Sequence, residues 1–327
     1  MLIPILLFIV GLVLLIKGGD WFVDGATGIA KKFKIPEVLI GATVVSIGTT
    51  LPEVMVSATS AFSGHGEIAY GNAIGSIICN TALIAAITMV FRPAKIDRAP
   101  LKFPVAVFFF AAALYTVAAC ILGGFPRWVG FILLAIFLVY MAISAYTAIK
   151  GQEKAPELEE AHTEEEPKSN KALIKDIIFL VLGAALIAFG ADLLVDNGTI
   201  IAQSLGVPES VIALTFIAIG TSLPELVTAI TSLVKGHGAL SLGNIIGANL
   251  FNLVLVSAVS AVVSPFDIPN NSQLFGINSS LIVDIPVMFF VMAFMTIPAL
   301  IRGKISRVQG IVLLGVYAAF CAFQFMI

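Results

Sequence analysis

The sequence predicts an all-α integral membrane protein with ten transmembrane helices, arranged as two inverted-topology repeats of five. Three observations indicate this fold: the apolar composition, the spacing of the apolar runs and an internal repeat. Of the 327 residues, 59% are hydrophobic and 12% are charged, and the mean hydropathy is +1.06. These values lie far from those of soluble globular domains.

Ten apolar runs follow one another along the chain, and each is long enough as a helix to cross a bilayer core of about 30 Å. The first run should continue as a tilted helix to about residue 32. It lacks the basic start and the cleavage site of a signal peptide, so we expect it to be retained. The runs cover residues 2–22, 36–62, 69–91, 103–122, 127–149, 173–204, 208–234, 239–263, 281–300 and 308–326.

Lysine and arginine lie almost entirely on one side of the predicted membrane. Of the 18 basic residues, 16 fall in the connections after the odd-numbered spans or within three residues of them, one, Arg127, falls in the others, and Lys17 lies within the first span. Positively charged connections remain in the cytoplasm. We therefore expect a multi-pass protein of the cell membrane, with both termini outside and the segment 150–172 in the cytoplasm.

The second half of the chain repeats the first at an offset of 172 positions. Between 41–83 and 213–255, 18 of 43 residues are identical, which indicates an internal duplication. Each half has five spans, an odd number, so the two halves enter the membrane from opposite sides. We expect a first repeat at 1–149, an acidic cytoplasmic linker at 150–172 and a second, inverted repeat at 173–327. Inverted repeats are typical of secondary transporters.

The repeated strings "GTTLPE" (48–53) and "GTSLPE" (220–225) place a proline and a glutamate inside apolar spans. Pro52 and Pro224 cannot donate a backbone hydrogen bond, so each should break or kink its helix and free carbonyl oxygens. Glu53 and Glu225 are costly within a bilayer unless they bind something. Hydroxyl groups surround both strings, at Ser46, Thr49, Thr50, Thr221 and Ser222.

Spans 3 and 8 add a second pair of polar motifs. In "GNAIGSIICN", Asn72, Ser76 and Asn80 are spaced by four residues and share one helix face, and the counterpart "GNIIGANLFN" ends at Asn252. Carboxylate, hydroxyl and amide oxygens suit hard cations such as Ca²⁺ and Na⁺ rather than soft metals. We expect the four motifs to form one cation site near the middle of the membrane.

Other polar residues favour simpler interpretations. Interfacial or vestibule charges are expected at Asp20, Asp24, Asp192 and Asp196, and an interfacial one at Asp284. Core thiols are expected at Cys79, Cys120 and Cys321, which lack disulfide or metal spacing. His65 and His237 lie in short turns, where pH sensing is a second possibility beside a turn role. The net charge of −2 does not point to nucleic acid, and no obligate protein partner is indicated.

The four motifs together resemble the two alpha-repeats of the sodium/calcium exchanger branch of the cation/calcium antiporter superfamily, in its minimal prokaryotic form. The resemblance implies that spans 2, 3, 7 and 8 hold the ions and that spans 1 and 6 move across them as a gate. Carried over by motif position, the implied ligands are Ser46, Thr49, Thr50, Glu53, Ser76, Asn80, Ala218 (through its carbonyl), Thr221, Ser222, Glu225 and Asn252.

The expected function is Na⁺/Ca²⁺ antiport by alternating access, with both ions as substrates and no cofactor. The alternative is a Ca²⁺/H⁺ or K⁺-dependent antiporter that uses the same carboxylates. A cation channel is a third possible function. We do not expect an enzyme. Two departures from the family concern selectivity. Ala248 replaces a common serine, and Asn252 replaces the aspartate typical of potassium-dependent members.

Overall fold

The computed structural model describes residues 2–93, 96–153, 170–205, 220, 222–269, 273–274 and 276–324. Within these residues ten helical stretches follow one another, and nine are long and apolar enough to span a membrane. They are α1 (Leu2–Lys32), α2 (Glu37–Phe62), α3 (Gly66–Phe91), α4 (Ala99–Leu122), α5 (Arg127–Glu153), α6 (Asn170–Ser204), α7 (Leu223–Val234), α8 (Gly238–Val263), α9 (Ser280–Arg302) and α10 (Arg307–Gln324).

These helices confirm the predicted all-α membrane fold. Nine match nine predicted spans to within a few residues, and the short α7 forms the end of the predicted span 208–234. Residues 208–219 and 221 of that span lie outside the described residues. The division into repeats at 1–149 and 173–327 stays a prediction.

The outward faces of the helices are apolar. Phe110 on α4 is 62% exposed, Phe131 on α5 is 58% exposed and Val181 on α6 is 60% exposed. Exposed side chains of this size would be unfavourable in water, whereas lipid tails solvate them well. The exposed surface therefore agrees with a chain that lies in a bilayer.

Helices α1 and α6 run antiparallel and contact each other through glycines. A Cβ atom at Gly11 would lie 2.8 Å from the carbonyl oxygen of Gly190, and one at Gly18 would lie 3.0 Å from that of Gly183. Larger residues cannot approach so closely. The buried side chains of this helix pair form a small apolar cluster with parts of α2 and α8, distinct from the main core of the remaining helices.

The chain connections contact one another as the predicted topology requires. The strand β1 (Gly124–Phe125), which follows α4, pairs with β2 (Phe266–Asp267), which follows α8. On the other side, the amide of Ile96, after α3, donates to the carbonyl of Gly303, after α9. Even-numbered connections thus meet at one face and odd-numbered ones at the other. A short hairpin, β3 (Gln273–Leu274) and β4 (Ile277–Asn278), lies between α8 and α9.

Ionic contacts also involve residues of the odd-numbered connections. Lys235, after α7, places its Nζ 2.8 Å from Asp24 Oδ1 and 3.4 Å from Asp20 Oδ1 on α1. His237 Nδ1 lies 2.7 Å from Glu37 Oε1 at the start of α2. The sequence did not predict these pairs, because each joins residues about 200 positions apart.

Candidate cation-binding site

Helix α2 carries the first repeated string and is irregular at an unexpected place. It contains a π-helical turn at Gly41–Val45 and then continues as a regular α-helix from Ser46 through Pro52 to Phe62. The predicted break at Pro52 is therefore wrong, and a kink there stays a prediction. Neighbouring helices can hold a membrane helix together through a proline, and α3, α7 and α8 all pack against this part of α2.

In the second repeated string, the described residues show where a helix begins. Ser222 has non-helical backbone angles, and α7 begins at Leu223 with Pro224 in its first turn. A proline at that position gives up no helical hydrogen bond. The two strings therefore differ in conformation despite their similar sequences. Two predicted ligands of this copy, Ala218 and Thr221, lie outside the described residues.

The two glutamates come together in the protein interior. Glu53 on α2 and Glu225 on α7 are both 0% exposed, and their carboxyl groups interact electrostatically with each other. No protein atom makes a hydrogen bond of regular geometry to any of their four side-chain oxygens, although the Thr49 hydroxyl lies beside Glu225. Two adjacent buried carboxylates are strongly unfavourable unless cations or protons neutralise them.

Neutral oxygens without partners accompany the carboxylates. The hydroxyls of Thr50 and Ser222 and the amides of Asn80 and Asn252 are buried and make no hydrogen bond. Each asparagine is the first residue of a π-helical turn, Asn80–Ala85 in α3 and Asn252–Val256 in α8. Such turns are frequent at functional sites. The amides of Asn80 and Asn252 thus lie at equivalent π-helical turns in the two halves of the chain.

The remaining predicted ligands within the described residues are buried and do have partners. Ser46 and Thr49 place their hydroxyls 3.2 Å from Oδ1 of Asn244 on α8. Ser76 donates to Oδ1 of Asn72, one turn earlier on α3, at 3.5 Å. The implied ligand set did not include Asn244, although its repeat equivalence to Asn72 was a usable signal.

Cys79 is a second residue whose position the sequence did not indicate. Its buried thiol faces the hydroxyls of Ser222 and Tyr317 and is close enough to Glu225 to interact electrostatically. The expectation of a plain core cysteine therefore understates its position beside the candidate site. Its place directly before Asn80 was the available signal.

A cavity of about 120 Å³ lies beside the two prolines. Asp192 and Asp196 of α6 contribute to its wall, together with Pro52, Val56, Ala188, Ala191, Val195, Gly220 and Pro224. Pro52 and Pro224 directly precede the buried glutamates in the chain. The acidic residues of α6 therefore line a space next to the candidate site, which favours the vestibule interpretation for this pair.

Comparison with known proteins identifies the family of the chain. Residues 3–146 and 175–326 match the family described as sodium/calcium exchanger protein. The chain belongs to the sodium/calcium exchanger family. It is 31% identical to the sodium/calcium exchanger MaX1 of Methanosarcina acetivorans, with 98% of each chain covered. It is 34% identical to the putative antiporter CaxA of Alkalimonas amylolytica, covering 100% of this chain and 99% of that protein.

A solved structure of the sodium-calcium exchanger NCX_Mj has the same fold. Its TM-score to this exchanger is 0.81 at 30% identity, and the match covers 98% of this chain and 99% of the other. These matches confirm the predicted family and show a membrane antiporter rather than an enzyme. The roles of individual residues in the candidate site stay predictions.

Proposed function

We propose that this exchanger couples Na⁺ and Ca²⁺ antiport through the candidate site, by alternating access. The observation that carries the proposal is the pair Glu53 and Glu225, which are both fully buried with their carboxyl groups adjacent. Oxygen-only ligands of this kind suit Ca²⁺ and Na⁺. The proposed ligand set adds Ser46, Thr49, Thr50, Ser76, Asn80, Ser222 and Asn252, with Thr221 and the Ala218 carbonyl from outside the described residues.

The charge of the site explains why the two ions must alternate. With both glutamates ionised, an empty site carries a charge of −2 in an interior that solvates it poorly. One Ca²⁺ neutralises this charge, as do two Na⁺. Only a neutralised site passes readily through an occluded state, so one cation is exchanged for the other and neither leaks.

We infer that α1 and α6 form the moving unit. They contact each other closely through Gly11, Gly18, Gly183 and Gly190, and their own apolar cluster is distinct from the main core. The cavity lined by Asp192 and Asp196 of α6 gives such a movement a path to the site. Sliding this pair across α2 and α7 would open the glutamates to one side or the other.

The proposal is tested in proteoliposomes loaded with Na⁺. Wild-type protein should take up ⁴⁵Ca²⁺ when the outside is Na⁺-free, and Glu53→Gln or Glu225→Gln should abolish uptake because a site of reduced charge no longer balances Ca²⁺. Glu67→Gln, which changes an exposed carboxyl group on α3, is the matched control and should retain uptake. Substantial uptake by both site variants would refute the assignment.

Separately imposed gradients distinguish the coupling ion. Ca²⁺ uptake should follow a Na⁺ gradient and be absent with only a K⁺ or only a pH gradient. Uptake driven by pH without Na⁺ would instead show Ca²⁺/H⁺ antiport by the same carboxylates. A current that needs no counter-ion would indicate a channel.

A further inference from the structure

Asn244 makes side-chain contacts with residues of the first half of the site. It lies on α8 and is 0% exposed. Its Oδ1 accepts a hydrogen bond from the hydroxyl of Thr49 on α2 and lies at the same distance, 3.2 Å, from the hydroxyl of Ser46. The single proton of Ser46 has nearer acceptors, the carbonyl oxygen of Gly41 at 2.7 Å and the backbone oxygen of Asn244 at 3.0 Å. One amide thus contacts two proposed ligands.

Glycines make this close approach possible. A Cβ atom at Gly247 would lie 2.2 Å from Ser46 Oγ, and one at Gly41 would lie 2.8 Å from the backbone nitrogen of Asn244. Both distances are too short for any side chain. The backbones of α2 and α8 therefore pack in direct contact where Asn244 meets the ligands.

A hydroxyl group can serve a cation only through its lone pairs. Its single proton must then point to another acceptor. Thr49 also lies beside the carboxyl group of Glu225, which is a stronger acceptor than an amide oxygen. A proton directed to Glu225 would engage a lone pair of the carboxylate that otherwise faces the ion.

We propose that Asn244 is a positioning residue for the cation site. Its Oδ1 takes the proton of Thr49, so that the lone pairs of Thr49 and the carboxylate of Glu225 face the ion. Asn244 does not touch the ion in this scheme and its side chain acts through the Thr49 hydroxyl. The inference rests on the proposed function and deepens it, because it states how a neutral ligand on one half is oriented by the other half.

Asn249 offers a matched control on the same helix. It is also 0% exposed, but its Nδ2 donates to Thr81 Oγ1 at 2.7 Å and contacts Met292 Sδ at 3.1 Å. Neither partner is a proposed ligand. Asn249→Leu therefore removes an equally buried amide from α8 without touching Ser46 or Thr49.

The test is equilibrium binding of ⁴⁵Ca²⁺ to purified protein, with thermal unfolding of each variant recorded beside it. Asn244→Leu should raise the half-saturating Ca²⁺ concentration about tenfold or more, the usual range for losing a group that orients a metal ligand. Asn249→Leu should bind Ca²⁺ as the wild type does, even where its thermal midpoint falls equally. Asn244→Asp keeps an oxygen acceptor and should bind no more weakly than wild type.

A double-mutant cycle shows whether Asn244 acts through the Thr49 hydroxyl. In a Thr49→Val background, Asn244→Leu should change Ca²⁺ binding by less than about twofold, because the group it orients is gone. A full effect in that background, or no effect in the wild-type background, would overturn the inference. Asn244→Ala replaces Asn244→Leu if the latter does not fold.

Measurements of Na⁺-dependent exchange and of Ca²⁺ binding test the two proposals separately. If the wild-type protein bound Ca²⁺ but showed no Na⁺-dependent uptake, the antiport proposal would be refuted. The Ca²⁺ binding of the Asn244 variants would then still test the positioning role of Asn244. Wild-type exchange with unchanged binding by Asn244→Leu would refute the role of Asn244 alone.

Discussion

Individual buried oxygens are the most informative feature of this exchanger. Glu53, Glu225, Asn80 and Asn252 are each 0% exposed, and their side-chain polar atoms make no hydrogen bond of regular geometry in the protein. An unsatisfied buried polar group costs about 1–3 kcal/mol, and a charged one costs more. The protein therefore holds, in its interior, a set of polar groups that bound cations, protons or water must compensate.

This cost leads to a prediction about stability. In buffer free of Na⁺ and Ca²⁺, Glu225→Gln should have a thermal midpoint no lower than that of wild type, because it removes a charge that has no partner. Added Ca²⁺ should stabilise the wild type, by about 2.7 kcal/mol at a hundredfold excess over Kd, and leave the variant nearly unchanged. Fluorescence-detected thermal unfolding with and without Ca²⁺ measures both effects. An equal Ca²⁺-dependent rise in the two proteins would contradict the assignment of Glu225.

At the scale of elements, the contact between α1 and α6 depends on glycine. A Cβ atom at Gly25 would lie 2.5 Å from both the carbonyl oxygen of Asp176 and the amide nitrogen of Leu180. These are backbone atoms, which cannot turn aside as a side chain can. The two helices would have to separate locally.

Gly25→Ala should therefore lower stability by about 1–3 kcal/mol, the usual cost of overpacking. Gly315→Ala on α10 is the control, since a Cβ atom there meets nothing within 4 Å, and it should be neutral or slightly stabilising because alanine favours helix. Thermal unfolding in detergent compares the two. Equal thermal midpoints for Gly25→Ala and Gly315→Ala would show that α1 and α6 can separate locally without loss of stability.

For the whole molecule, the pairing of connections bears on topology. Connections after even-numbered helices meet each other, as at Gly124 and Asp267, and those after odd-numbered helices meet each other, as at Ile96 and Gly303. Any arrangement in which each helix crosses the membrane once requires this pairing of even with even and odd with odd connections. The pairing does not identify the cytoplasmic face. The 16 basic residues on one side predict which face that is.

The orientation is tested by labelling single cysteines in a cysteine-free background. Ser63 and Asp97 are both exposed and follow α2 and α3. An impermeant maleimide should label Ser63→Cys in intact cells and Asp97→Cys only after permeabilisation. The reverse result would place the termini and the segment 150–172 on the opposite sides.

Much of the fold could be read from the sequence because the relevant signals are local or periodic. Apolar runs determine where helices cross a bilayer, and the offset of 172 pairs Glu53 with Glu225 without any knowledge of packing. The break expected at Pro52 failed because a proline acts on one hydrogen bond, whereas α2 is held by the helices around it.

The sequence by itself thus determined the membrane-spanning helices, the family and the two buried glutamates. Only the tertiary structure decided that α2 continues through Pro52, that Cys79 lies beside Ser222 and that Asn244 contacts Ser46 and Thr49. The physical reason is distance along the chain. Contacts between residues about 140 to 200 positions apart depend on how whole helices pack, and hydrophobic periodicity carries no information about which side chains then meet.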